Sequence, residues 1–187
     1  MSGITYSKKR GGVVKYFPKK VTITLVAALG LGVPLHFLFH WLPSPITALV
    51  SPVRESLFEH LKILLIPLLL SGLYLTHGRG LDGLAPWLLT LPIIGGAMLL
   101  IGYVYHIPLQ GDWVGFDLIL YGILMVAGFV LAQWLAPATQ RPGIPTLCLV
   151  IALVMAWLII WFTFFPPDMA LFVDLSQSKP TFYILPQ

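Results

Sequence analysis

Five stretches of about 20 apolar residues constrain this chain more than any other feature. They run over 21–42, 56–75, 86–106, 114–135 and 145–165. A run of that length spans the hydrocarbon core of a bilayer as an α-helix. Only helices and closed barrels satisfy their backbone in lipid, and these runs are continuously apolar rather than alternating, so the sequence predicts helices. The breaks carry turn chemistry: Pro43-Ser44-Pro45, His77-Gly78-Arg79-Gly80, Gln110-Gly111-Asp112, the stretch from Pro137 to Pro145, and Pro166-Pro167. With 58% hydrophobic and 10% charged residues, the chain has too little polar surface to cover its apolar side chains in water. The expected fold class is all-α, one membrane domain of five transmembrane helices. A basic tail (1–20) precedes it and a mixed tail (166–187) follows.

Lysine and arginine placement orients the bundle. Lys8, Lys9, Arg10, Lys15, Lys19 and Lys20 precede the first helix, and alternation puts Arg79 and Arg141 on the same side. The other side receives Arg54 and Lys179, with Lys62 near the membrane. The N-terminus is therefore expected in the cytoplasm and the C-terminus outside, in a bacterial plasma membrane. The first helix reads as a retained anchor, because its apolar run exceeds a signal-peptide core and no A-x-A site follows. The basic tail suits anionic headgroups, and no nucleic-acid motif accompanies it. Phe172, Phe182, Tyr183 and Ile184 in the last tail suggest that it folds onto the outer membrane surface. Cys148 is the only cysteine and reads as an inert packing residue.

Ionisable groups at membrane depth are costly and default to a functional reading. Here they gather at the outer ends of the helices. His36 and His40 stand at i and i+4, a metal-ligand spacing on one helix face. Glu55, Glu59 and Lys62 form one stripe, with Ser56 and His60 beside it. Arg54, Glu55 and Ser56 also suit a headgroup anchor and a helix start, and Glu59–Lys62 also suits a packing ion pair. His106 closes the third run. Asp117, one turn inside the fourth, suits a base or an orienting partner for a histidine. Tyr121 follows one turn deeper. The inner halves carry little beyond Ser71, Thr76, Thr90 and Gln133.

The segment Pro52-Val53-Arg54-Glu55-Ser56-Leu57-Phe58-Glu59-His60-Leu61-Lys62 resembles the N-E-S-[VIL]-[WF]-E-H-L-K motif of an uncharacterised family of small bacterial polytopic membrane proteins. His36-Phe37-Leu38-Phe39 is similar to that family's H-F-x-[YF], and Phe162-Thr163-Phe164-Phe165-Pro166-Pro167 to its F-T-[FY]-x-P-P. The chain departs at Arg54, where the family often has Asn, and at His40, where an acidic residue is common. The resemblance implies a polytopic fold and brings no activity. The E-S-x-x-E-H order is also similar in chemistry to seven-helix zinc hydrolases, which carry their HxxxH on the last helix rather than the first.

Three functions are compatible with this pattern. In the first, His36, His40 and His60 bind zinc or another divalent metal, Glu59, Asp117 and Lys62 are catalytic, and Glu55, Ser56, His106 and Tyr121 complete the site. The reaction is then hydrolysis or transfer on a lipid-like substrate. In the second, the polar cluster only fixes packing in a membrane subunit that binds a partner. In the third, the same groups carry protons or ions, which needs a polar inner path that the chain lacks unless a homo-oligomer supplies it. No Walker, Rossmann, CxxCH or GxSxG motif is present.

Overall fold

The computed structural model describes residues 18–176. Lys8, Lys9, Arg10, Lys15, Lys179, Phe182, Tyr183 and Ile184 lie outside the described residues. Among the described residues all regular structure is helical, and five helices are long and apolar enough to cross a membrane. They are α1 (Lys19–Trp41), α3 (Leu57–Leu75), α4 (Gly80–His106), α5 (Val114–Thr139) and α6 (Ile144–Phe164). This is the build of a multi-pass membrane protein.

Two boundaries differ from the apolar runs. Helix α4 starts at Gly80, six residues before Pro86, because Leu81, Leu84 and Ala85 extend the core-facing surface and Asp82 suits the first turn. Helix α5 continues through Pro137 to Thr139. Prolines 34, 67, 86 and 92 also lie inside helices. Such prolines are tolerated where neighbouring groups satisfy the backbone.

A short helix was not expected. The Pro43-Ser44-Pro45 break starts α2 (Pro45–Val50). Ser44 Oγ accepts from Thr47 N at 3.1 Å, and Thr47 Oγ1 accepts from Ser44 N at 3.1 Å. This reciprocal capping box, with proline at the first helical position, is a helix start written into a turn-like sequence.

Helix α4 packs against α3, α5 and α6, while α1 packs against α3 and α5. Thus α1, α3, α4 and α5 form a ring, and α6 lies outside α4. Leu64, Leu68, Met125 and Phe129 fill the ring's centre. Close approach is set by glycine: a Cβ on Gly72 would stand 2.7 Å from Trp87 Cβ, so α3 and α4 meet there only without a side chain. Helix α6 buries Pro145, Cys148 and Thr163, and presents Leu147, Val150, Leu153, Val154, Trp157 and Trp161 outward, as a lipid-facing helix must.

Up-and-down alternation brings the end of α1, the start of α3, the end of α4 and the start of α5 together. The described part of the last tail folds back over this end. A 3₁₀ turn (Ala170–Phe172) sets the Phe172 ring 4.5 Å from Phe58 and 5.3 Å from Phe162. Leu175 N donates to Glu55 O at 3.0 Å.

Candidate metal centre

Ser56 begins α3, with its hydroxyl accepting from Glu59 N at 3.3 Å. One turn on, His60 Nδ1 stands 2.7 Å from Ser56 O. A carbonyl only accepts, so Nδ1 carries a proton, and Nε2 faces the site, where it donates to Glu55 when the ring is doubly protonated and is free to bind an ion when it is not. His36, near the end of α1, faces it from across the gap, with the two imidazole centroids 5.4 Å apart. Glu55 joins them from the loop before α3. Its Oε2 is 3.3 Å from His60 Nε2 and its Oε1 is 3.7 Å from His36 Nε2.

One ligand atom from each of His36, Glu55 and His60 lies within 4.8 Å of the others. Three ligands of a tetrahedral ion with bonds of about 2.0–2.1 Å are about 3.3 Å apart. The group is therefore close to the spacing that a small divalent ion requires, and its donors suit one. The His60–Ser56 bond is the outer contact that fixes a ligating imidazole. Glu55 is half exposed, so the site opens to the surface. The hydrogen bond from His60 holds the Glu55 carboxyl below its ordinary range; partial burial opposes this, and the charges of His60 and His36 add to it.

Glu59 and Lys62 lie beneath this group and engage each other. Lys62 is 1% exposed, and its Nζ donates to Glu59 Oε2 at 2.7 Å, Ala48 O at 2.7 Å and Ser51 O at 3.3 Å. Glu59 Oε2 also accepts from Val53 N at 3.0 Å. Both charges are thus spent on tying the 43–56 segment to α3. Ser51, fully buried, continues the tie to α1. Its Oγ donates to Leu35 O at 2.6 Å and accepts from Phe39 N at 3.0 Å, the two partners of one helical rung astride His36.

The model of DUF6512, a family of unknown function, matches residues 13–180. The chain belongs to this family. No curated protein and no solved structure matches it. The sequence resemblance was to an uncharacterised family, and DUF6512 is one.

The remaining expected residues of this DUF6512 member divide in two. His106 is buried at the end of α4, with Nε2 2.8 Å from Asp117 Oδ1 and Nδ1 2.8 Å from Gly111 O. Both ring nitrogens face oxygen atoms, which fixes the imidazole between Gly111 and Asp117. Asp117 is partly exposed and close enough to His60 for its charge to act on that imidazole. These two form a second polar pair at the same end of the bundle. His40, in contrast, is exposed in the last turn of α1 and lies outside that group; Glu55 supplies the third donor instead. Ser56 acts through its cap and its carbonyl rather than as an open hydroxyl. Tyr121 donates to Ala28 O at 2.9 Å, in the space above Gly32, and braces α5 against α1. A Cβ on Gly32 would stand 2.5 Å from the Tyr121 hydroxyl oxygen. Sequence reading missed Ser51, which belongs to no motif, and Glu55 as a donor beside His60, because Glu55 precedes the helix and periodicity does not reach it.

Proposed function

We propose that this DUF6512 member is a metal-dependent membrane enzyme, a hydrolase or transferase for a lipid-like amphiphile. His36, Glu55 and His60 are its metal ligands. The observation that carries the reading is the convergence of their three donor atoms within 4.8 Å, contributed by two helices and a loop. A divalent ion held by these three residues, zinc being the expected one, would supply Lewis acidity and lower the pKa of a water for attack. Asp117, oriented by His106, is the proton acceptor beside the site. Glu59 and Lys62 keep the loop bearing Glu55 in place. Lys19, Lys20, Arg79 and Arg141 at the opposite end support a cytoplasmic N-terminus under the positive-inside rule, and with it a site at the outer leaflet of a bacterial plasma membrane. On this reading residues 18–176 form one membrane domain.

A proton or ion path is poorly supported. Toward the other end, Thr24, Ser71, Thr76, Thr90 and Thr139 each donate to a carbonyl of their own helix and offer no relay. Elemental mass spectrometry of detergent-purified protein tests the proposal, with His36→Ala/His60→Ala alongside. About one zinc, iron or manganese per chain, lost in the variant, is the expected result. Folded wild type that holds no metal after incubation with each ion would overturn it and leave a non-catalytic, partner-binding subunit.

A further inference from the structure

A second feature lies between α1 and α3, in the half away from the metal group. There the helices leave a groove of about 330 Å³, open on one side. Ile23, Ala27 and Leu31 of α1 face Pro67, Leu70 and Tyr74 of α3 across it. Of the three hydroxyls in its wall, two donate within their own helices: Thr24 Oγ1 to Lys20 O at 2.8 Å and Ser71 Oγ to Pro67 O at 2.7 Å. Apart from the Tyr74 hydroxyl the wall is apolar or internally bonded, and the groove suits a hydrocarbon chain.

Its rim is charged. Lys20 Nζ sits 4.5 Å above the centroid of the Tyr74 ring, which lines the groove. This contact draws the ammonium to the groove's mouth. Lys19 is its neighbour, and both are exposed. Among the described residues no carboxylate pairs with either, and the first turn of α1 contains no acid. Two cations at the positive end of a helix repel the local field, and an anion between them relieves this. Basic residues at the end of an interhelical groove are a recognised way of holding anionic lipid headgroups.

We propose that this groove is a binding site for one anionic phospholipid, with an acyl chain along Ala27 and Leu70 and the phosphate at Lys19 and Lys20. It is independent of the metal group. Bilayer lipid that merely surrounds the protein does not discriminate between headgroups at one place. A site does, and its lipid needs both the apolar channel and the charges.

The test is native mass spectrometry of the full chain in micelles doped with equal amounts of phosphatidylglycerol and phosphatidylcholine. One retained phosphatidylglycerol per chain, in several-fold excess, is expected. Removing Lys20 should weaken its retention about fivefold, and Lys19→Ala/Lys20→Ala should weaken it further. Ala27→Phe fills the channel and should abolish retention with both lysines intact; circular dichroism checks that each variant is folded. Equal retention of the two lipids by wild type would overturn the proposal and mean annular lipid only. So would loss of preference in the lysine variants with none in folded Ala27→Phe, because headgroup contact without the groove is a surface effect.

Discussion

Lys62 offers the sharpest perturbation. Its three ammonium protons have three acceptors in Glu59, Ala48 and Ser51, with no water needed. Lys62→Met keeps most of the stem's packing and removes the charge. Glu59, 4% exposed, is then a buried carboxylate with Val53 N as its one remaining donor. Removing one partner of a buried ion pair costs about 3–5 kcal/mol, because the other charge stays desolvated. Glu59→Leu should cost a similar amount, leaving a buried ammonium on two carbonyls. Replacing both charges by apolar groups is often close to neutral. Here it strands the Ala48 and Ser51 carbonyls and Val53 N, at about 1–3 kcal/mol for each that water does not reach. Each single variant already strands some of these groups as well as an unpaired charge, so Glu59→Leu/Lys62→Met should cost less than the sum of the singles, with a coupling of at least about 2 kcal/mol in the cycle. Equilibrium unfolding in mixed micelles, followed by far-ultraviolet circular dichroism, measures all four proteins. Additive costs would refute the reasoning. So would single variants that lose under about 1 kcal/mol while metal binding disappears, since Glu59 and Lys62 would then act at the site rather than beneath it.

Glu55→Gln tests the depressed carboxyl. A folded-state value below the ordinary one stabilises above the unfolded value and stops doing so as pH falls through the folded one, so wild type should exceed Glu55→Gln at neutral pH and converge with it only below pH 4.5. A gap that closes near pH 6.5 instead would assign the effect to histidine titration. Ser51→Ala should cost about 1–3 kcal/mol, since it strands Leu35 O and Phe39 N together, and it should weaken metal retention by displacing His36. Unchanged metal content at reduced stability would confine Ser51 to folding. Gly32→Ala drives a methyl into Tyr121 and should cost about 1–3 kcal/mol by overpacking; an unchanged unfolding midpoint would mean that α1 and α5 do not meet there.

The five long helices were legible because bilayer thickness fixes run length, a constraint carried by local sequence. The gathering of titratable groups at one end was legible for the same reason, since alternating direction decides which helix ends share a side. What was not legible depends on rotation about the helix axes. His36 and His40 share a face by spacing, yet the packing of α1 on α3 turns His36 toward His60 and leaves His40 exposed. Glu59 and Glu55 stand four residues apart, but α3 starts between them at Ser56, so one carboxylate turns down to Lys62 and the other out to His60. Capping chemistry decided that division. The Ser44–Thr47 box was equally present in the sequence and was obscured by two prolines that read first as a turn.

The buried ion pair and the metal group are parts of one construction. Glu55 precedes the helix and has no intrahelical hydrogen bond to fix its place, so a loop must hold it. That loop is tied at four points: Val53 N to Glu59, Ala48 O and Ser51 O to Lys62, and Leu175 N to Glu55 O itself. Ser51 then joins the same segment to the rung of α1 that carries His36. A metal site gains affinity when its ligands are held before the ion arrives, since the ordering entropy is already spent. If the group binds a metal, the costly burial of Lys62 near one membrane face has a purpose that packing alone does not supply. An apolar residue there would fill the space at lower desolvation cost, but it would leave the loop carbonyls unheld and Glu55 free to swing away from His36 and His60.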